Sequence, residues 1–438
     1  MKKNMSVLNI QLSDSQKNYS FDFIFIALLT SVLSGIIGPL PVILYLIYKL
    51  GKSNNISAAI VLLLYANHSI GAFFKFVQFP IPGAIVTLLL GILFIRKEIY
   101  SLVRSNSYSI IYFIIVIVIC LFAFLYGPVH SYSIAKLITI TFKGSVSLIA
   151  FLLITSRNFS NRNVAEILAI ICLLYLAMAF QYARFPHPTS VFDFSFFRQT
   201  AVLNMHDDNS ISISYHHLGL TSMMGIAFLI YGNNKSVVTK TNIILFILFL
   251  YIILLSQARQ AILGTTILIG AKMFLSSNKP TITKTLRLSL FFLFAIVLLQ
   301  LIKTTEMQNS LTFNQGIEKA INRDFADAFS IIKQYPIFGK GLGGYSSTGL
   351  RNYPHNIILE ILCEFGIIGF ILLTFTVMSY VMLKKFSITY FTQNKSFYML
   401  IIIAFFIRAL ISSDLTENIA LFSALFAIQC NPLFKRIN

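Results

Sequence analysis

The sequence predicts an all-α fold, a polytopic integral membrane protein with about 12–14 transmembrane helices and a large outer loop carrying an amphipathic helix. Three observations lead there. Of 438 residues, 57% are hydrophobic and 11% charged, with mean hydropathy +0.79; a soluble domain has about 45–50% apolar and about 25% charged residues. Apolar runs of helical-span length recur along the whole chain. They do not alternate apolar with polar, so a soluble enzyme, a disordered chain and a transmembrane barrel are all excluded. Clusters of Lys and Arg punctuate the runs at intervals that fit one common side of a membrane.

The elements follow in order. Phe21–Leu50 is the first apolar block; Gly35, Gly38, Pro39 and Pro41 interrupt it, so it forms one tilted span or a short hairpin. Met1–Ser20 ahead of it is polar, and no cleavable leader is expected. Further runs lie at Ile56–Val77, Ile81–Ile95, Ser109–Tyr126, Tyr132–Thr155, Val164–Tyr182, Leu218–Tyr231, Asn242–Leu255, Ala261–Leu275, Leu288–Ile302, Ile367–Met382, Phe397–Ile411 and Ile419–Gln429. Several are shorter than the roughly 17 residues a span needs and must recruit polar flanks.

The net charge is +19, from 34 Lys and Arg against 15 Asp and Glu. Its basic clusters lie at Arg96–Arg104, Arg157–Arg162, Lys235–Lys240, Lys272–Arg287, Lys384–Lys395 and Lys435–Arg436. Passing from one cluster to the next crosses an even number of runs, so all can be cytoplasmic. Nucleic-acid binding would need a soluble basic face, and none is visible. Cys120, Cys172, Cys363 and Cys430 form no CxxC or Cys/His pattern, so neither a disulfide framework nor a metal site is expected.

The opposite side receives the two longest polar segments, Arg184–His217 and Lys303–His355. Long loops of this kind usually carry function. In the second, Ile317, Ala320, Ile321, Phe325, Ala328 and Ile331–Ile332 give Gly316–Gln334 the spacing of an amphipathic helix, lying on the membrane or capping a cavity. The chain thus divides into a helical bundle over 1–302 with outer loop 184–217, a large outer loop over 303–355, and C-terminal helices over 356–438.

Candidate chemistry gathers at those loops. Arg259 stands at the outer junction of two spans, where a cation is costly and usually paired. Arg198 lies in the first outer loop. Two outer arginines can clamp a diphosphate, because guanidinium forks match phosphate oxygens and stay charged. His355 stands at a loop–helix boundary, where a general base near neutral pH or an ordinary surface histidine would sit. His216 and His217, at another helix entrance, carry the same two readings. Glu360 and Glu364, four apart on one helical face, either position a hydroxyl, pair with an arginine or lie on a solvated face. Lys136 and Lys143 share a face within a span, and Arg408 lies towards the outer end of another. These intramembrane cations are either functional or bridge helices through Glu417 and Asp414. Gly339–Gly344 matches GxGxxG, but it lacks a βαβ setting and reads as a flexible turn positioning Tyr345. Asn-x-Ser/Thr matches at Asn158, Asn234 and Asn394 fall on the cytoplasmic side and carry no weight.

Pro336, Gly339 and Gly341 form a P-x-x-G-x-G run, and His355-Asn356, Gly366 and Gly369 form H-N-x9-G-x-x-G at the exit of the longest outer loop. This pairing resembles the signature of the O-antigen ligase/polymerase superfamily over roughly Arg198–Gly369. Arg323 resembles that family's loop arginine. Arg259 resembles the arginine opening the preceding span, although the usual Ser-Arg-Gly is Ala258-Arg259-Gln260 here. Arg198 resembles an arginine of the earlier periplasmic loop, where Ala201 and Asp207–Asp208–Asn209 depart from the usual pattern.

The resemblance implies a GT-C-like, inverting, metal-independent glycosyltransferase needing no cofactor, in the bacterial inner membrane with its site facing the periplasm. Its donor would be a glycan on undecaprenyl diphosphate. His355, Arg259 and Arg198 would be catalytic. Arg323, Arg351, Glu360, Glu364, Lys136, Arg408 and Tyr345 would bind substrate. Partners would be lipid-linked oligosaccharide as donor and acceptor, membrane lipids, and a chain-length regulator. The two glutamates, the Phe-Gly-Ile-Ile-Gly run and the Trp-free composition favour a polymerase. The alternative is a ligase delivering the glycan to lipid A–core, and a third branch glycosylates proteins. A flippase for the same lipids is the reading from a different class, but no internal repeat supports it.

Overall fold

A computed structural model describes residues 56–65, 83–157, 159–182, 215–231, 240–256, 258–275, 325–349, 353–384, 396–411 and 414–428. Among them every regular element is helical. The helices are α1 Ile56–Tyr65, α2 Gly83–Phe94, α3 Arg96–Ser105, α4 Ser107–Tyr126, α5 Ser131–Ser156, α6 Asn161–Tyr182, α7 Tyr215–Tyr231, α8 Lys240–Ser256, α9 Arg259–Leu275, α10 Ala326–Gln334, α11 Ile357–Leu383, α12 Ser396–Ile411 and α13 Leu415–Phe426. Three of them, α4, α5 and α11, are long and apolar enough to cross a membrane by themselves; α1, α7, α8, α9, α12 and α13 include shorter apolar helical stretches. This is the helical bundle of an integral membrane protein. The expected spans at Phe21–Leu50 and Leu288–Ile302 lie outside the described residues.

Hydrophobicity places the helices in lipid but cannot pack them, because lipid tails are as apolar as leucine. Packing is read from which face is covered. Along α4, Ser109, Phe113, Val116, Cys120 and Ala123 form a buried stripe at helical spacing, and the helix packs on α11 and α5. Ile111, Ile114, Phe122 and Leu125 on its other faces are exposed, as a lipid-facing span requires. One group of packed helices is α4, α5, α11 and α13; another is α6, α7, α8 and α9. Helix α12 touches both, packing on α9 and α7 on one side and on α13 and α11 on the other.

The polar contacts agree with the two-sided arithmetic of the basic clusters. Arg157 donates to the Ser101 hydroxyl, and Ser57 donates to the Ser160 carbonyl. The clusters at 96–104 and 157–162 therefore share one end of the bundle. The helix ends expected to face outward meet at the other end. Asn356 reaches the Leu410 carbonyl (3.0 Å), Tyr132 reaches Asp414 (3.0 Å), and the His130 ring lies 3.2 Å from the Gly343 carbonyl.

One element differs from expectation. The charged segment Arg96–Ser105 is itself a helix, α3, with Leu102 buried. Helix α11 begins at Ile357, as the loop–helix boundary at His355 predicts, and runs on through the apolar stretch from Ile367. The described part of the amphipathic segment is the short helix α10; residues 316–324 lie outside the description. Its Ala328 and Ile331 pack with Tyr345, Leu359 and Cys363 into a small core of their own, while Phe329 stays exposed.

Candidate active site

The site is built around a break in α11. Gly366 has φ 62° and ψ −168°, so the helix ladder is cut there. In an intact helix the Cys363 and Glu364 carbonyls would accept from the amides of Ile367 and Ile368. Here the glycine loop takes over all four groups. Lys340 and Gly341 donate to the Cys363 and Glu364 carbonyls (2.8 and 2.9 Å), and Ile367 and Ile368 donate to the carbonyls of Pro336 and Ile337 (2.9 and 3.1 Å). These four backbone groups are thus paired across the break, which is what a break at membrane depth requires. Leu342 then donates to the Ala123 carbonyl at the end of α4 (3.0 Å).

The exchange needs backbone contact without side chains. A Cβ on Gly366 would stand 2.3 Å from the Ile337 oxygen, and one on Gly341 would stand 2.1 Å from the Gly127 Cα, at a φ of 88°. The P-x-x-G-x-G and G-x-x-G runs are therefore two halves of one joint. The loop expected to be flexible is a packed structural element. Gly341→Ala is expected to lower stability by roughly 1–3 kcal/mol from backbone strain alone. A thermal unfolding scan of the variant in detergent checks this, and an unchanged midpoint would refute the joint.

The outer half of α11, above that joint, carries His355 and Asn356. Asn356 caps the helix, its Oδ1 accepting from the amides of Ile358 and Leu359 (2.9 and 3.2 Å). Its Nδ2 donates to the Leu410 carbonyl at the outer end of α12. His355 sits in the left-handed region at φ 54°, alone in this among the described non-glycine residues. Such backbone is rare for residues with a Cβ and clusters at active sites. The His355 ring is half-buried, with the Tyr353 ring edge-on 4.5 Å away.

Two turns of charge lie beneath this mouth. Arg408, buried on α12, donates to Glu417 (3.1 Å), which also accepts from Lys143 on α5. Here the helix-bridging reading of these cations holds. Beside it Lys136 donates to Glu360 and to Glu364 (2.8 Å), all three side chains fully enclosed. Tyr345 is fully buried as well. The solvated-face reading of the two glutamates is therefore incorrect: both are enclosed and share one cation from a distant helix.

On the other side of α12, His217 is buried at the start of α7 with the ring of Tyr175 at 5.6 Å and that of Tyr65 at 6.4 Å. Cys172 and Ser222 pair beside them (3.4 Å). The start of α9 adjoins this group, since a Cβ on Gly219 would stand 2.6 Å from that of Ala258. Arg259 opens α9 at this point; its side chain lies outside the described residues, as do Arg198, Arg323 and Arg351. The structure thus brings Lys136, Glu360 and Glu364 together and packs Tyr345 separately with Leu359 and Cys363. It also ties the cap beside His355 to α12 through Leu410, and α9 packs on the same helix. Tyr65, Tyr132 and His130 had no local signal that marked them, because their partners are far away in sequence; Asp414 was expected beside a cation and instead accepts from Tyr132. Among the described residues no group of three His, Cys, Asp or Glu side chains is placed to hold a metal ion.

The fold is that of a helical membrane protein with a strained histidine beside a helix cap and buried cations paired with carboxylates near it. Residues 244–374 match the family model described as O-antigen ligase, and this match supports the resemblance of that part of the chain to the O-antigen ligase/polymerase superfamily. No curated protein matches the chain. The matched segment runs from α8 into α11 and contains Arg259, Arg323, Arg351, His355 and the whole glycine joint. It does not divide polymerase from ligase. It supports a glycosyltransferase-like activity on lipid-linked glycans in O-antigen assembly.

Proposed function

We propose that the chain is a surface-polysaccharide polymerase. It transfers a glycan chain from undecaprenyl diphosphate to the next lipid-linked repeat unit, with inversion and without a metal, at the periplasmic face of the inner membrane. The observation that carries this reading is His355, held in a left-handed backbone beside the Asn356 cap, which bonds to the Leu410 carbonyl on the helix that carries Arg408 and packs on α9. In the proposed step the acceptor hydroxyl oxygen attacks the anomeric carbon and its proton passes to the His355 imidazole. The bond from that carbon to the diphosphate breaks, and negative charge builds on the leaving group. Arg259 and Arg198, with Arg323 and Arg351 from the large loop, meet that charge, which is where a fixed cation lowers a barrier most.

The description of the matched family favours one second reading, ligation of the glycan to lipid A–core. Lipopolysaccharide from a strain lacking the gene, run on a gel beside the complemented strain, separates the two. Core bearing a single repeat unit is the expected result. Bare core, with long polymer retained on undecaprenyl diphosphate, would make the chain the ligase.

A further inference from the structure

The Lys136–Glu360–Glu364 cluster takes no part in the step just described, and all three side chains are fully enclosed. Its position is nevertheless specific. Both glutamates lie on the outer half of α11, between the Asn356 cap and the break at Gly366. That half-helix is cut from the rest of α11, so the ladder no longer fixes its rotation. Lys136 is anchored from the other side, on α5. Tyr132 Oη, one turn earlier, donates to Asp414 at the cap of α13, and the His130 ring, at the cap of α5, lies beside the Gly343 carbonyl and the Ser346 hydroxyl. An apolar contact would hold two helices together yet let one slide on the other. A buried ammonium between two carboxylates fixes register and rotation, the best-attested use of buried ion clusters.

We propose that Lys136, Glu360 and Glu364 are positioning residues, a buried clamp that fixes the outer half of α11 and so aims His355 at the acceptor hydroxyl. The inference rests on the role proposed for His355 and deepens it. Misplacing a catalytic group by about 1 Å from a distance costs about 100-fold in rate, so the clamp acts on kcat and not on substrate affinity.

The test uses the full-length protein in lipid nanodiscs with a lipid-linked repeat unit as donor and acceptor. Glu360→Gln is expected to lower kcat about tenfold with KM within about twofold. Lys136→Glu and Glu360→Lys singly are expected to lose at least about 100-fold, and the double swap Lys136→Glu/Glu360→Lys to recover most of it. A lysine that touched substrate would not be rescued by moving it to another helix. Cys363, buried one residue before Glu364, reports the clamp independently: its thiol should stay protected from a maleimide in the native protein and in the swap, and react in the single variants. A swap that stays protected yet inactive, or a Glu360→Gln variant whose KM rises tenfold at unchanged kcat, overturns the proposal. If the swap does not fold, the Glu360→Gln split decides alone. A His355→Gln variant with native kcat would instead sink the role of His355, whatever the clamp variants do.

Discussion

His355→Ala is expected to lower kcat by about 10²–10⁴-fold, the usual contribution of a positioned general base, with donor KM within about twofold. The argument combines backbone and location. A histidine with a positive φ carries strain of about 1–3 kcal/mol, which persists only where the surroundings over-determine it. Here they do. Asn356 is fixed twice, by capping α11 and by its bond to Leu410, and the half-helix beyond it is held by the glycine joint. A surface histidine without a task would relax to ordinary backbone. His355→Gln keeps the size and a hydrogen-bonding group but cannot carry the proton at neutral pH, so it should fall nearly as far as alanine. Steady-state rates of polymer formation by purified protein check both variants. Loss confined to KM would make His355 a binding residue, and native rates would remove it from the reaction.

Much of the bundle was legible because hydropathy reports directly what lipid requires. The runs at Ser109–Tyr126, Tyr132–Thr155 and Phe397–Ile411 became α4, α5 and α12 with ends moved by one or two residues. What hydropathy misses is charge that is paired from afar. Glu360 and Glu364 broke the apolar pattern, so the helix that begins after His355 was legible but the enclosure of its two carboxylates was not. Their partner Lys136 lies over two hundred residues away. The opposite error occurred at Arg96–Ser105, where charge masked a helix that buries only a narrow strip. Lys143 and Arg408 were readable as candidate helix bridges to Glu417, because three opposite charges in membrane spans have few other partners.

The signature glycines were legible as a motif but not as a mechanism of folding. Spacing alone places Gly339, Gly341 and Gly366 in the chain without saying that the first two fill the gap opened by the third. That is a statement about four backbone hydrogen bonds between two segments, and no side-chain pattern encodes it. For Arg259 the sequence supplied the position and the fold supplied only the neighbourhood, the start of α9 beside His217 and α12.

Lys136→Met is expected to lower stability by about 3–5 kcal/mol, the cost of leaving buried charge without its partner. Two carboxylates would then share an enclosed site with no cation in hydrogen-bond reach. Tyr132 and Asp414, the nearest polar pair, are already engaged with each other. The triple variant Lys136→Met/Glu360→Gln/Glu364→Gln should be far closer to the native protein, because neutral amides of the same shape can bond to each other and no charge is left to desolvate. The comparison matters more than either value. If the cluster simply held the helices together, the triple variant would be as unstable as the single one. If its value lies in register, the triple variant should regain stability while its kcat stays low, since two amides and a thioether no longer fix the rotation of the half-helix. Equilibrium unfolding in mixed micelles gives the first quantity and turnover in nanodiscs the second. Equal stability of Lys136→Met and the native protein would mean that Lys136 is not paired as the structure has it.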